Sequence, residues 1–104
     1  MRRELQRILE ILISRYQPEK IILFGSLATG EITEESDLDL LIIKETTRRP
    51  IERVMEIDAL LGHPRIALDV LVYTPKEIEY LQREGSQFIE DILSSGLVLY
   101  EKDH

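Results

Sequence analysis

The sequence has no cysteine, which excludes disulfides and thiolate chemistry and fits a reducing, cytoplasmic setting. Aromatic residues are scarce, at 6%, so leucine, isoleucine and valine must fill the core. No run approaches the roughly 18 apolar residues of a membrane-spanning helix, and no membrane association is expected. Met1-Arg2-Arg3 begins like the basic region of an export signal. Glu4, Arg7 and Glu10 then interrupt any apolar stretch behind it, so no export signal is read. Basic residues are outnumbered, 13 Lys and Arg against 20 Asp and Glu, for a net charge of −7. Broad nucleic-acid binding replaces phosphate counterions with a basic face, so no direct nucleic-acid binding is expected. A nucleotide is not excluded, because metal ions can neutralise its charge locally. Repeats, low-complexity segments and long linkers are also absent. The 104 residues, 43% of them apolar, read as a single domain, 1–104, with one ordinary core.

What is present is an alternation of helical and strand patterns. Leu5, Ile8, Leu9, Leu12, Ile13 and Tyr16 recur at helical spacing, and Gln17-Pro18 ends the stripe. Lys20 to Phe24 is a short buried strand stopped by Gly25. Leu38 to Ile43 is a second strand, with Asp37, Asp39, Leu41 and Ile43 on one face and Leu38, Leu40 and Ile42 on the other. Pro50 opens a helix striped by Ile51, Val54, Met55, Ile57, Leu60 and Leu61 and closed by Gly62. Arg65 to Tyr73 is a third strand, in which Asp69 sits among apolar neighbours. A carboxylate truly buried there costs several kcal/mol unless it is paired or metal-bound. Thr74-Pro75-Lys76-Glu77 has the form of a capping box with proline at the first helical position. Ser86 caps a last helix that ends near Ser95-Gly96, and Leu97 to Tyr100 closes as a short strand.

The chemistry concentrates between Phe24 and Ile43. Gly25-Ser26 forms a phosphate-sized turn, and after ten residues, Leu27 to Ser36, comes Asp37-Leu38-Asp39. Only about a dozen residues separate the two strands, too few for an easy parallel crossover. The strands are therefore predicted to run antiparallel, which brings the turn and the acids to one end of a sheet. Asp37 and Asp39 are two apart on a strand, so their side chains share a face, with Cα atoms roughly 6.5 Å apart. Asp69 joins them if its strand neighbours the second. Three clustered carboxylates repel one another and suit a hard divalent cation such as magnesium. The lack of His or Cys in the cluster argues against zinc.

Glycine-serine, ten residues, D-x-D and a distant third acid on a later strand resemble the motif of the nucleotidyltransferase superfamily that includes DNA polymerase β. The chain is most similar to its minimal nucleotidyltransferases, whose members are often encoded beside HEPN proteins as toxin–antitoxin pairs. The resemblance covers essentially the whole chain. It implies an α/β (α+β) nucleotidyltransferase fold: a small mixed sheet of three or four strands, helices packed on one face and an active-site cleft on the other. It also implies transfer of AMP, or another nucleoside monophosphate, from a nucleoside triphosphate such as ATP to a hydroxyl acceptor. Asp37, Asp39 and Asp69 would be the catalytic residues and would hold two Mg2+ ions, and Gly25 and Ser26 would bind the phosphates. The implied acceptor and partner is a HEPN-type toxin protein, silenced by the modification, with this chain as antitoxin in a hetero-complex; a homo-oligomer is also open. At one position the sequence departs from the pattern: Thr29 stands where many relatives carry arginine beside the triphosphate, leaving Arg48, Arg49 and Arg65 as substitutes. The alternative is a catalytically weak module that neutralises its partner by contact alone.

Overall fold

Two short apolar runs meet at the centre of the sheet. In the computed structural model, which describes residues 2–25, 38–62 and 67–103, β1 (Lys20–Phe24) pairs antiparallel with β2 (Leu38–Ile43), as the short connection predicts. β3 (Leu68–Tyr73) lies parallel to β2 on its other side. β4 (Leu97–Glu101) runs antiparallel along β1. The strand order is β3-β2-β1-β4, a mixed four-stranded sheet.

Helix α1 (Arg2–Ile11) continues into a π-helical turn, Leu12–Tyr16. Gln17 closes it in a left-handed conformation, donating its N–H to the Leu12 carbonyl at 2.9 Å. The Gln17-Pro18 stop is thus where the sequence puts it. The change of winding leaves no mark on the apolar stripe, because positions 12 and 16 would face the core in an α-helix too. Helices α2 (Pro50–Leu61), α3 (Pro75–Arg83) and α4 (Gln87–Ser95) follow. The expected capping box forms: the Thr74 hydroxyl accepts from Glu77 N–H at 3.1 Å, and Glu77 accepts from Thr74 N–H at 2.7 Å. Among the described residues no helix is long and apolar enough to cross a membrane.

The core has two layers. Leu38, Leu40 and Ile42 pack with Ile8, Leu12, Tyr16, Ile57 and Leu61 from α1, its π turn and α2. Ile22, Leu41 and Ile43 pack with Ile78, Ile89 and Ile92 from α3 and α4. The mixed sheet and its helices are the fold expected. The difference is that helices cover both faces rather than one. β2 is apolar on both sides, and such a strand needs a layer above and below. On the second face Asp69, at the start of β3, is exposed, as is Val98 on β4.

Arg53 is the buried charge of this core, 5% exposed. It donates to the carbonyls of Arg48 at 2.8 Å and Val72 at 3.1 Å, and to the Glu77 carboxylate at 2.7 Å. One guanidinium thereby ties α2 to β3 and to the cap of α3. Burial would raise the Glu77 pKa, but hydrogen bonds from Arg53 and the Thr74 N–H together outweigh it and hold the carboxyl below the usual glutamate range. Arg53→Met strips the Val72 carbonyl of this donor in a dry place, and a loss of about 2–3 kcal/mol in urea unfolding is expected. Because the folded pKa is depressed, the Glu77 contribution is present above the unfolded pKa and fades as pH falls through the folded value. The gap between wild type and variant should therefore narrow in acid, below about pH 4.

Tyr16 offers the opposite case. Its ring is buried and carries the Lys44 ammonium 4.5 Å from the centroid, a cation–π contact. Its hydroxyl is buried with no hydrogen-bond partner among the described residues, and burial raises its pKa. Tyr16→Phe removes a desolvated polar atom and keeps the ring, so the variant should unfold at equal or higher urea, with a gain of up to about 1 kcal/mol.

Candidate active site

The strand register places three residues in one row. Phe24, the last residue of β1, lies opposite Asp39, the second residue of β2. Asp39 in turn lies opposite Asp69, the second residue of β3. Directly paired residues point to the same side of a sheet, and neighbouring strands are about 4.8 Å apart. The two acids therefore stand side by side, on the face that carries Leu41 and Leu71 deeper in the sheet. Alternation decides this: shifting either strand by one residue would turn its acid to the other face.

Gly25 completes the row. Its φ of +81° is a conformation that side chains other than hydrogen adopt at a cost. A Cβ built on it would also fall inside contact distance of Asp39 Oδ2, and 3.3 Å from Asp39 Cγ. The Asp39 carboxylate thus rests directly against the backbone of the turn. A phosphate held by that turn would be a neighbour of the carboxylate, which is the juxtaposition the glycine-to-aspartate spacing predicts.

Asp69 is exposed and Asp39 half-buried. The desolvation cost that the sequence suggests for Asp69 does not arise, because Asp69 sits at the open start of β3 rather than within its covered length. Among the described residues no three His, Cys, Asp or Glu gather as a metal-holding group. Two of the five expected site residues, Ser26 and Asp37, lie outside the described residues, as do Thr29 and Arg65. What is described fits a hard cation: two oxygen-donor carboxylates side by side, one open to solvent, and no softer ligand among them. The other candidate cations are committed elsewhere. Arg48 pairs with Glu56 at 3.1 Å and Arg49 with Glu52 at 3.3 Å, beyond the far end of β2.

The sequence offers no reason to single out Phe88. It stands on α4, 52% exposed, and meets Phe24 edge to face with ring centroids 5.9 Å apart. Beside that pair a groove of about 240 Å³ opens between α4 and Gly25. Phe88 differs from a core residue only by its offset from the buried Ile89 and Ile92, a signal too short to read before the helix is placed.

A family model described as "Polymerase beta, Nucleotidyltransferase" matches residues 6–104. The chain belongs to the polymerase β nucleotidyltransferase family. It is accordingly an enzyme of the nucleotidyltransferase class. Two proteins of Methanocaldococcus jannaschii, each named "Putative protein adenylyltransferase", are similar to it. One is 34% identical over 83 residues, covering 79% of this chain and 78% of the relative. The other is 36% identical over 58 residues, covering 51% and 58%. A crystal structure of a "putative nucleotidyltransferase" from Sulfolobus solfataricus shares the fold with a TM-score of 0.65 and 17% identity, over 96% of this chain and 79% of that one. A "putative minimal nucleotidyltransferase" structure superimposes with a TM-score of 0.55 and 25% identity, over 88% of each chain. The four-stranded mixed sheet with its helices is thus the nucleotidyltransferase fold.

Proposed function

We propose that this nucleotidyltransferase moves AMP from ATP to a hydroxyl on a protein. The observation that carries this is the row formed by Gly25, Asp39 and Asp69, which sets a close-approach turn beside two carboxylates. The names of the M. jannaschii relatives support a protein acceptor, and the family motif supports Asp37 and Ser26 as further members of the site. Resemblance to the minimal nucleotidyltransferases points to a HEPN-type toxin as the acceptor, with this chain as its antitoxin.

The residues divide the work. Gly25 has no side chain, so its backbone can approach the phosphates closely. Asp39 and Asp69, with Asp37, would hold Mg2+. When bound, magnesium neutralises the triphosphate charge and stabilises the displacement at phosphorus. The acceptor oxygen forms a bond to the α-phosphorus, and the bond from that phosphorus to the bridging oxygen of the β-phosphate breaks, releasing pyrophosphate. The hydroxyl proton would pass to Asp69, which is exposed beside Asp39. The protein's own contribution is placement of charge and reactants rather than covalent chemistry.

The test is incubation with α-labelled ATP, Mg2+ and the protein encoded by the neighbouring gene. Label should pass to that protein and survive denaturing electrophoresis. Neutralisation of the partner without any label transfer, matched by an Asp39→Ala variant, would instead establish the contact-only alternative.

A further inference from the structure

The groove beside Gly25 has no role in the transfer step as described, and its chemistry is unlike that of the acid row. Its floor is the buried Ile92, one wall is the Phe24–Phe88 pair, and its rim carries Asp91 and Ser95. Phe88, Asp91, Ile92 and Ser95 fall at helical spacing, so one face of α4 supplies most of the groove. The Asp91 carboxylate accepts from the Gln87 amide at 2.8 Å, and Ser95 Oγ donates to the Asp91 carbonyl at 2.6 Å. Gly25 belongs to both places: it lines the groove and lies against the Asp39 carboxylate.

We infer that this groove seats the nucleoside of the triphosphate, with the base stacked on Phe88 and the ribose hydroxyls donating to Asp91. The inference rests on the nucleotidyl-transfer reading above and deepens it. Three observations select this occupant. Gly25 lines the groove and also lies against Asp39 of the acid row, so one ligand can reach both. At about 240 Å³ it is smaller than the roughly 300–1,000 Å³ of pockets that enclose a drug-sized molecule, which suits a planar ring laid against an aromatic wall. Among the described residues its charged lining residue is Asp91, whose carboxylate accepts from hydroxyls. The triphosphate tail then lies on the Gly25 side, where Mg2+ held by the acid row would neutralise it, and the neutral nucleoside on the α4 side. More than half of Phe88 is open for stacking even with Phe24 against its ring.

Comparison of ATP with inorganic tripolyphosphate isolates the nucleoside, because both carry the same phosphate chain. Calorimetric titrations in Mg2+ should show wild type binding ATP about tenfold or more tighter than tripolyphosphate. Phe88→Ala should bring the two affinities together by weakening ATP alone, and Phe88→Trp should restore the difference. Phe88 is exposed, so the alanine variant should keep the wild-type circular dichroism spectrum, and unchanged tripolyphosphate binding verifies the phosphate side directly. An undiminished preference for ATP in Phe88→Ala would overturn the groove and leave the transfer reading standing. Failure of wild type to bind either ligand would overturn both.

Discussion

Asp39→Asn should lower the rate of AMP transfer by about a thousandfold or more, with little change in stability. Asparagine keeps the size and shape of the side chain, so packing against Gly25 survives. What disappears is the negative charge at the centre of the row, between β1 and β3. Losing one charged ligand to a catalytic metal is worth several kcal/mol of transition-state stabilisation, and each 1.36 kcal/mol is a factor of ten in rate. The loss should fall mainly on kcat at saturating Mg-ATP, because the charge being stabilised develops as the bond to pyrophosphate breaks. Single-turnover label transfer measures this, and urea unfolding of the same preparation verifies the fold. A purely structural role for Asp39 would give the reverse pattern, lower stability with activity retained per folded molecule.

Gly25→Ala should separate stability from activity in another way. The backbone cost is limited: a Cβ at φ +81° costs roughly 1–2 kcal/mol. The collision is with the end of a flexible side chain, Asp39 Oδ2, which can swing aside. That escape preserves the fold and moves the carboxylate away from its place. Misplacing a reacting group by about 1 Å can cost a hundredfold, so transfer should fall by about 10² or more while the unfolding midpoint moves only modestly. Ser14→Ala, exposed on the π-helical turn and part of neither the acid row nor the groove, provides a comparison that should leave the rate near wild type. A Gly25→Ala variant with wild-type kcat would show that Asp39 need not occupy its present position.

Much of this architecture was legible in the chain. Proline, threonine and glutamate at positions 74 to 77 announce α3 because a capping box is a local device whose atoms lie within four residues. The antiparallel β1–β2 pair was legible because chain length alone limits the connection. Alternation along β2 and β3 fixed which face Asp39 and Asp69 take, but that β3 lies beside β2, which makes them neighbours, was open in the sequence. What escaped depends on contacts between distant segments. Burial of Asp69 could not be judged without knowing where β3 starts beneath its neighbours, and the burial inferred from its apolar flanks does not occur. The cover of the second face by α3 and α4 was implicit in β2, whose Leu41 and Ile43 are as apolar as Leu40 and Ile42, yet the helices' destination is a tertiary fact. Phe88 could not be distinguished from a core residue until α4 was oriented over β1. The Arg53 clamp joins residues 24 apart in sequence, a distance at which spacing carries no information about contact.

Metal uptake by the nucleotide complex tests the central claim most directly. Mn2+ can be titrated into the protein with a non-hydrolysable ATP analogue and followed by electron paramagnetic resonance, with the analogue alone as reference. The account predicts that wild type binds about two Mn2+ per chain, and that Asp39→Asn and Asp69→Asn each retain at most the one that travels with the nucleotide. Equal uptake by wild type and both variants would contradict it.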